Sequence, residues 1–157
     1  MTRPLLDASV AGHAHAACRL SAAPILWLTT VSTDARPHSV PVWFVWSDPH
    51  LTVFSRPDTA KVQRLRHNPA VSMSLDSAVG GGDIVLAEGD AELVAMDDVA
   101  PGLPAFERKY APLFGGQSLE EWLELFSQPI RVTATKIISW TATPKGLDYV
   151  AVPAGPA

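Results

Sequence analysis

Several short runs rich in β-branched and aromatic residues follow one another closely in this chain: residues 25–31 (ILWLTTV), 38–46 (HSVPVWFVW), 51–55 (LTVFS) and 70–76 (AVSMSLD). The first three are joined by links of only a few residues, at 32–37 and at Ser47-Asp48-Pro49-His50. Links that short cannot hold a parallel crossover, so neighbouring runs must pair antiparallel. The run at 25–31 is almost continuously apolar and reads as a buried strand. In 38–46, Val40, Val42, Phe44 and Trp46 share one face, while Pro41 removes a ladder donor and places this strand at an edge or a bulge. Residues 83–94 carry a face of small residues, Val85, Ala87, Gly89, Ala91 and Leu93, and Gly89 permits the bend that a closed sheet needs. Residues 130–143, with Trp140, form the last expected strand.

Helical signals flank these runs. Leu6, Val10, Ala14, Ala17 and Leu20 recur at spacings of three and four over 5–20, and Pro24 closes that segment. A short helix is expected near 104–111. Ser118-Leu119-Glu120-Glu121 is a capping box that opens a helix to about Ser127, with the apolar stripe Leu119, Trp122, Leu123 and Phe126. The expected class is therefore mainly β: a small antiparallel barrel of about six strands with peripheral helices.

Bulk properties narrow the function. The 157 residues suit one domain, expected over 1–150, with an N-terminal helix in 1–22, the barrel in 23–143 and a loose tail at 151–157. A net charge of −4 argues against general nucleic-acid binding, which needs a broad basic surface. One cysteine, Cys18, excludes a disulfide framework or a thiolate metal cluster and is expected to be a small buried residue. His13 and His15 lack partners at metal-ligand spacing, so no metal site is expected and both read as surface residues. No apolar run approaches the ~20 residues of a membrane span, and no signal peptide is visible, so a cytoplasmic location is expected. Gly80-Gly81-Gly82 lacks the Lys-Ser/Thr ending of a phosphate-binding loop.

Chemistry concentrates in residues 51–69 (LTVFSRPDTAKVQRLRHNP). A strand turns through Arg56-Pro57-Asp58 into a helix near Thr59-Ala60-Lys61, which Pro69 stops. Such a junction leaves backbone N–H groups unpaired beside the hydroxyls of Ser55 and Thr59 and the cation of Lys61, a combination suited to phosphate. Arg56, Lys61, Arg64 and Arg66 place four of the twelve lysines and arginines of an acidic chain here. Lys61 and Arg64 share one helical face; Val62 and Leu65 share another that can meet the core. An ordinary strand–helix connection with a solvated basic face is the plain alternative.

The order of Trp27-Leu28-Thr29-Thr30, then Arg36 to Phe44 with its Pro-Val-Trp-Phe, then Ser55 to Pro69 resembles the split β-barrel family of pyridoxamine-5′-phosphate-oxidase-like flavin- and deazaflavin-binding proteins, over roughly residues 23–143. The resemblance implies a six-stranded antiparallel split β-barrel of the FMN-binding type. The flavin mononucleotide (FMN) branch carries an arginine and a lysine on the second strand; the matching positions here look like Ser39 and Phe44, so both charges are missing. The branch using coenzyme F420, a deazaflavin with a phosphate and an acidic tail, looks closer. It implies an F420-dependent oxidoreductase in which Ser55, Thr59, Ala60 and Lys61 hold the phosphate region, Arg56 and Arg64 stand near the acidic tail, and Pro41, Val42 and Trp43 run along the ring. Family sites lie between two subunits, so the resemblance implies a homodimer, with Trp140 and Lys145 reaching in from the partner. An FMN-dependent enzyme of the same fold, and a non-catalytic F420- or haem-binding protein, remain alternatives; no catalytic side chain is assigned.

Overall fold

A computed structural model describes residues 3–77 and 79–152. Among the described residues eight strands run in chain order: β1 Leu26–Val31, β2 Pro37–Val42, β3 Phe44–Ser47, β4 His50–Ser55, β5 Ala70–Leu75, β6 Asp83–Leu93, β7 Gln128–Thr143 and β8 Gly146–Val152. The helices are α1 Ala11–Ala22, α2 Ala60–Leu65, α3 Met96–Val99, α4 Leu103–Tyr110 and α5 Leu119–Leu125. All strand pairs are antiparallel, in the spatial order β2-β1-β5-β6-β7-β4-β3, with β8 added beside β7.

That order explains why the sheet curls. β2 and β3 are its two ends, yet only Trp43 separates them in the chain. The edges must therefore meet at Trp43, which closes the sheet into a split barrel. Pro41 lies on an end strand, hydrogen-bonded to β1 on one side only, where its missing donor is tolerated. The expected six strands become eight for two reasons. Residues 38–46 do not form one strand, because the chain changes edges at Trp43. The chain also returns after Thr143 through Gly146 (φ +123°) to lay β8 along the outer half of β7. Ala151 and Val152 thus belong to a strand rather than to a loose tail, while residues 153–157 lie outside the described residues.

The barrel core gathers Leu26, Leu28, Phe44, Leu51, Val53, Met73, Val85, Ile130, Val132 and Ile137, with Val62 and Leu65 of α2 closing one end. β6 bends against β7 at Gly89, where the register shifts. A Cβ at Gly89 would collide with the Thr133 carbonyl oxygen, so the close approach of two backbones requires glycine there.

α1 presents Ala16 and Leu20 to the core, while Ala14 and Val10 are exposed. Cys18 is exposed too, against expectation. An alanine-rich helix has little apolar contrast between its faces, so specific contacts decide its rotation. Arg19 Nη1 lies 2.6 Å from Asp83 Oδ2, and His15 Nε2 lies 3.0 Å from Asp83 Oδ1, pinning α1 to the start of β6. Burial raises the Asp83 pKa, but hydrogen bonds from His15 and Arg19 outweigh it and hold the carboxyl below its usual value. His15 is thus partnered rather than a free surface residue.

Between β6 and β7 the chain makes α3, α4 and α5. α5 starts as its sequence dictates: Glu121 N–H donates to Ser118 Oγ (3.2 Å) and Ser118 N–H to Glu121 Oε2 (2.8 Å). These helices bring Val99, Phe106, Tyr110, Phe114 and Trp122 onto Phe54 and Trp43, forming a second, largely aromatic core outside the barrel. Among the described residues no helix is long and apolar enough to cross a membrane.

Candidate functional site

A crevice of about 220 Å³ opens at the barrel seam. Pro41, Val42 and Trp43 line it from the end of β2, Phe54 from β4, Lys61 from α2, and Trp122 and Phe126 from α5 and its C-terminal cap. The β2–β3 edge change puts the first three there. α2 reaches it because Val62 and Leu65 are drawn into the core, which turns Lys61 toward the seam.

The turn that feeds α2 is held by its own hydroxyls. Ser55 is buried; its Oγ donates to the Arg56 carbonyl at 3.0 Å and lies 2.9 Å from Thr59 Oγ1, which itself reaches that carbonyl at 3.1 Å. These two hydroxyls shape the turn. Thr59 is the N-cap of α2 by backbone geometry, with no side-chain cap bond. Arg56 is exposed and pairs with Asp58 at 3.5 Å. Lys61 is half-buried, and among the described residues it has no carboxylate, hydroxyl or carbonyl partner; burial alone lowers its pKa. Arg64 lies one turn further along the same helix face, also without an ion-pair partner among the described residues.

The crevice wall is aromatic. Trp43 stacks on Tyr110 (centroids 4.7 Å apart, planes within 7°) and on Trp122 (5.6 Å, 14°), and Trp122 stacks on Phe126 (4.1 Å, 14°). Four nearly parallel rings thus run from the helical core to the seam. Such a wall is suited in kind to a flat, conjugated group, and the Lys61 ammonium to an anion.

Of the residues named from sequence, Pro41, Val42, Trp43 and Lys61 meet in the crevice. Ser55, Arg56, Thr59, Ala60 and Arg64 form the adjoining turn and helix. Trp140 does not join them within one chain. It sits on the outer half of β7 between Ile84 and Tyr149, and its indole N–H donates to the Gly81 carbonyl at 3.3 Å. Phe54, Trp122 and Phe126 were not expected as site residues. The stripe on α5 was readable, but where it would dock was not.

Phe44, beside the crevice, shows how the seam is tied. Its N–H donates to the Tyr110 hydroxyl (2.9 Å), and its carbonyl lies 3.0 Å from both that hydroxyl and Lys109 Nζ; Tyr110 OH also reaches the Pro24 carbonyl at 2.9 Å. α4 thereby satisfies backbone groups at an edge of the sheet. Burial pushes the Tyr110 phenol up to about 12, against a smaller lowering from Phe44, and pulls the Lys109 ammonium down to about 8. The pH dependence of stability follows. Above about pH 8 folded Lys109 loses its proton, while the unfolded chain keeps it to about 10.4, so stability rises with pH in that window. Above about pH 10 the unfolded chain loses the tyrosine proton that folded Tyr110 keeps to about 12, so stability then falls. Urea midpoints across this range are expected to rise less in Lys109→Met and fall less in Tyr110→Phe. Slopes identical to wild type would show that both groups are solvated.

The match to known sequences spans residues 13–138 and is described as Pyridoxamine 5'-phosphate oxidase. The chain belongs to this family. No protein of curated function matches it. Among solved structures, a conserved hypothetical protein from Mycobacterium tuberculosis superposes with a TM-score of 0.73 at 21% identity, covering 94% of this chain and 96% of that one. A protein described as an F420 reductase gives 0.57 at 21%, over 75% and 92%. A pyridoxamine 5'-phosphate oxidase-related, FMN binding protein from Nostoc punctiforme gives 0.59 at 14%, over 91% and 94%. At these identities the likeness is one of fold, and it agrees with the curled antiparallel sheet described above.

Proposed function

We propose that the crevice binds the ring system of a phosphorylated flavin-type cofactor, coenzyme F420 before FMN, and that the protein is an oxidoreductase transferring a hydride between that cofactor and a small organic acceptor. The observation that carries this reading is Lys61: an ammonium half withdrawn from water, without an anionic partner among the described residues, in a crevice otherwise walled by aromatic rings. A buried charge is expected to be paired, so its position favours an anionic ligand. Membership of the family supports the redox class, and the fold neighbour described as an F420 reductase is compatible with the choice of cofactor.

The residues present fit such a group in kind. Lys61, with Arg64 behind it, would hold the phosphate and acidic portion. Pro41, Val42 and Trp43 would flank the ring. Thr59 and Ser55 keep the turn in shape, and Arg56 would act at longer range. The bound cofactor would supply hydride chemistry; this chain would orient the ring and exclude water along its aromatic side. By the resemblance, Ser39 and Phe44 look like the positions at which the FMN branch carries cations, and their lack of charge supports the deazaflavin over FMN.

The crevice of about 220 Å³ falls below the roughly 300 Å³ at which small-molecule sites begin. We therefore include a second copy of the chain in the reading, completing the site as a homodimer, with Trp140 as a candidate contribution from it. Trp27 (38% exposed) and Tyr149 (59%) are apolar groups that such a copy could cover. A cytoplasmic location suits this cofactor chemistry.

Fluorescence titration of the purified protein with F420 and with FMN side by side tests the proposal. Saturable binding of F420, tighter than FMN, is expected. Tighter FMN binding would move the assignment to a flavin enzyme. Absence of binding by either would end it. F420 binding with no oxidation of the reduced cofactor by any acceptor tried would leave a carrier protein.

A further inference from the structure

A second hollow, of about 310 Å³, lies between β3 and α4 and is lined by Ser21, Val45, Trp46, Ala105, Arg108 and Lys109. Its unusual member is Lys109. The chain has four lysines. Lys136 pairs with Glu88 at 3.4 Å, Lys145 is exposed in the β7–β8 turn, and Lys61 belongs to the crevice. Lys109 Nζ instead rests 3.0 Å from the Phe44 carbonyl and 4.0 Å from the centroid of the Phe44 ring, with no carboxylate partner among the described residues. One carbonyl and a ring face do not replace lost hydration, so the amine is more easily deprotonated than an ordinary lysine, near pH 8. Arg108, its chain neighbour, is exposed, has no ion-pair partner among the described residues and lines the same hollow beside the half-buried Trp46.

We propose that Lys109 is an imine-forming amine for a small anionic aldehyde or ketone, whose charged group pairs with Arg108 and whose apolar body lies on Trp46. The neutral Nζ attacks the carbonyl carbon, the C=O bond becomes C=N, and the carbonyl oxygen leaves as water with two hydrogens that began on the ammonium. No oxidant or reductant is needed. The iminium formed keeps one N–H and the positive charge, so the hydrogen bond to the Phe44 carbonyl survives the reaction. The partially populated free amine is what makes a desolvated lysine nucleophilic near neutral pH. This site is separate from the crevice and does not depend on what the crevice binds.

The test uses the full chain with 4-formylbenzoate as probe at about pH 8, trapping with cyanoborohydride and peptide mapping. Labelling at Lys109 is expected about tenfold or more faster than at Lys136 or Lys145 at about pH 8, where an ordinary lysine is under about 1% neutral, and its rate is expected to level off above about pH 9 while theirs keeps rising. Arg108→Gln is expected to slow 4-formylbenzoate but not uncharged benzaldehyde, which separates anion pairing from bare reactivity. Lys109→Arg keeps the cation at Phe44 and is expected to abolish the fast label. Equal labelling of all four lysines, faster labelling at another lysine, or a Lys109 rate that climbs above about pH 9 as steeply as those of Lys136 and Lys145 would overturn the proposal. Fast labelling that Arg108→Gln leaves unchanged would overturn the anionic class of the ligand.

Discussion

Replacing Lys61 by alanine is expected to weaken cofactor binding at least about tenfold and leave the barrel intact. The loss expected for a hydrogen bond to a charged group is about 1.5–3 kcal/mol, which is roughly a ten- to hundredfold change in dissociation constant. The fold should survive because the structural work of α2 is done by Val62 and Leu65, both buried, on a different face. Among the described residues the Lys61 side chain has no hydrogen-bond or ion-pair partner, and its burial opposes its charge, so its removal deletes a desolvation cost rather than a polar contact. Lys61→Arg keeps the charge and should keep much of the affinity. Arg64→Ala should lose less than Lys61→Ala, because Arg64 does not line the crevice. Titration of wild type and the three variants, with thermal unfolding as a control, decides the matter. A Lys61→Ala protein that folds and binds as wild type would remove the phosphate from this place.

What sequence could say of this protein follows the range of the interactions involved. The antiparallel sheet was legible because short links force it, and Pro41 and Gly89 were legible because each restricts its backbone locally. The capping box of α5 is a four-residue pattern, and it stands as read. The break at Trp43 was not readable. Nothing in VPVWFVW distinguishes one strand from two that serve opposite sheet edges; the distinction lies in partners far along the chain. β8 was missed for a related reason. Four of its first residues are exposed, so it lacks the buried alternation that marks a strand, and its pairing with β7 defines it instead. Helix α1 went astray at Cys18 because its small residues carry no clear apolar face, and Asp83, far off in sequence, sets its rotation. The crevice divides in the same way. Its β2 and α2 sides come from contiguous motifs, whereas Phe54, Trp122 and Phe126 arrive by tertiary packing.

That packing makes Trp122→Ala the substitution with the largest expected effect on stability, about 3–5 kcal/mol. Trp122 is nearly buried, and its ring meets five others: Trp43, Phe54, Phe106, Phe114 and Phe126. Leu119, Leu123 and Phe126 pack against the same cluster but are only part-buried. The hydrogen bonds of its capping box are internal, its glutamates are solvated, and Leu125 is 52% exposed. Gly115 and Gly116 precede it at φ +69° and +90°, and among the described residues no atom other than those of chain neighbours lies within 4 Å of where a side chain would start at either. Deleting the indole leaves a cavity that the rigid sheet beneath Trp43 and Phe54 cannot collapse to fill, so the transfer and cavity terms add. Urea unfolding should register the loss, with Trp122→Phe falling between alanine and wild type. Leu125→Ala, on the exposed face, should change stability by no more than about 0.5 kcal/mol. The two effects also separate stability from binding. Lys61→Ala should alter ligand affinity alone, whereas Trp122→Ala removes a wall of the crevice and a keystone of the aromatic core together. A Trp122→Ala protein within about 1 kcal/mol of wild type would mean that α5 is not packed on the barrel in solution, and the aromatic side of the proposed site would go with it.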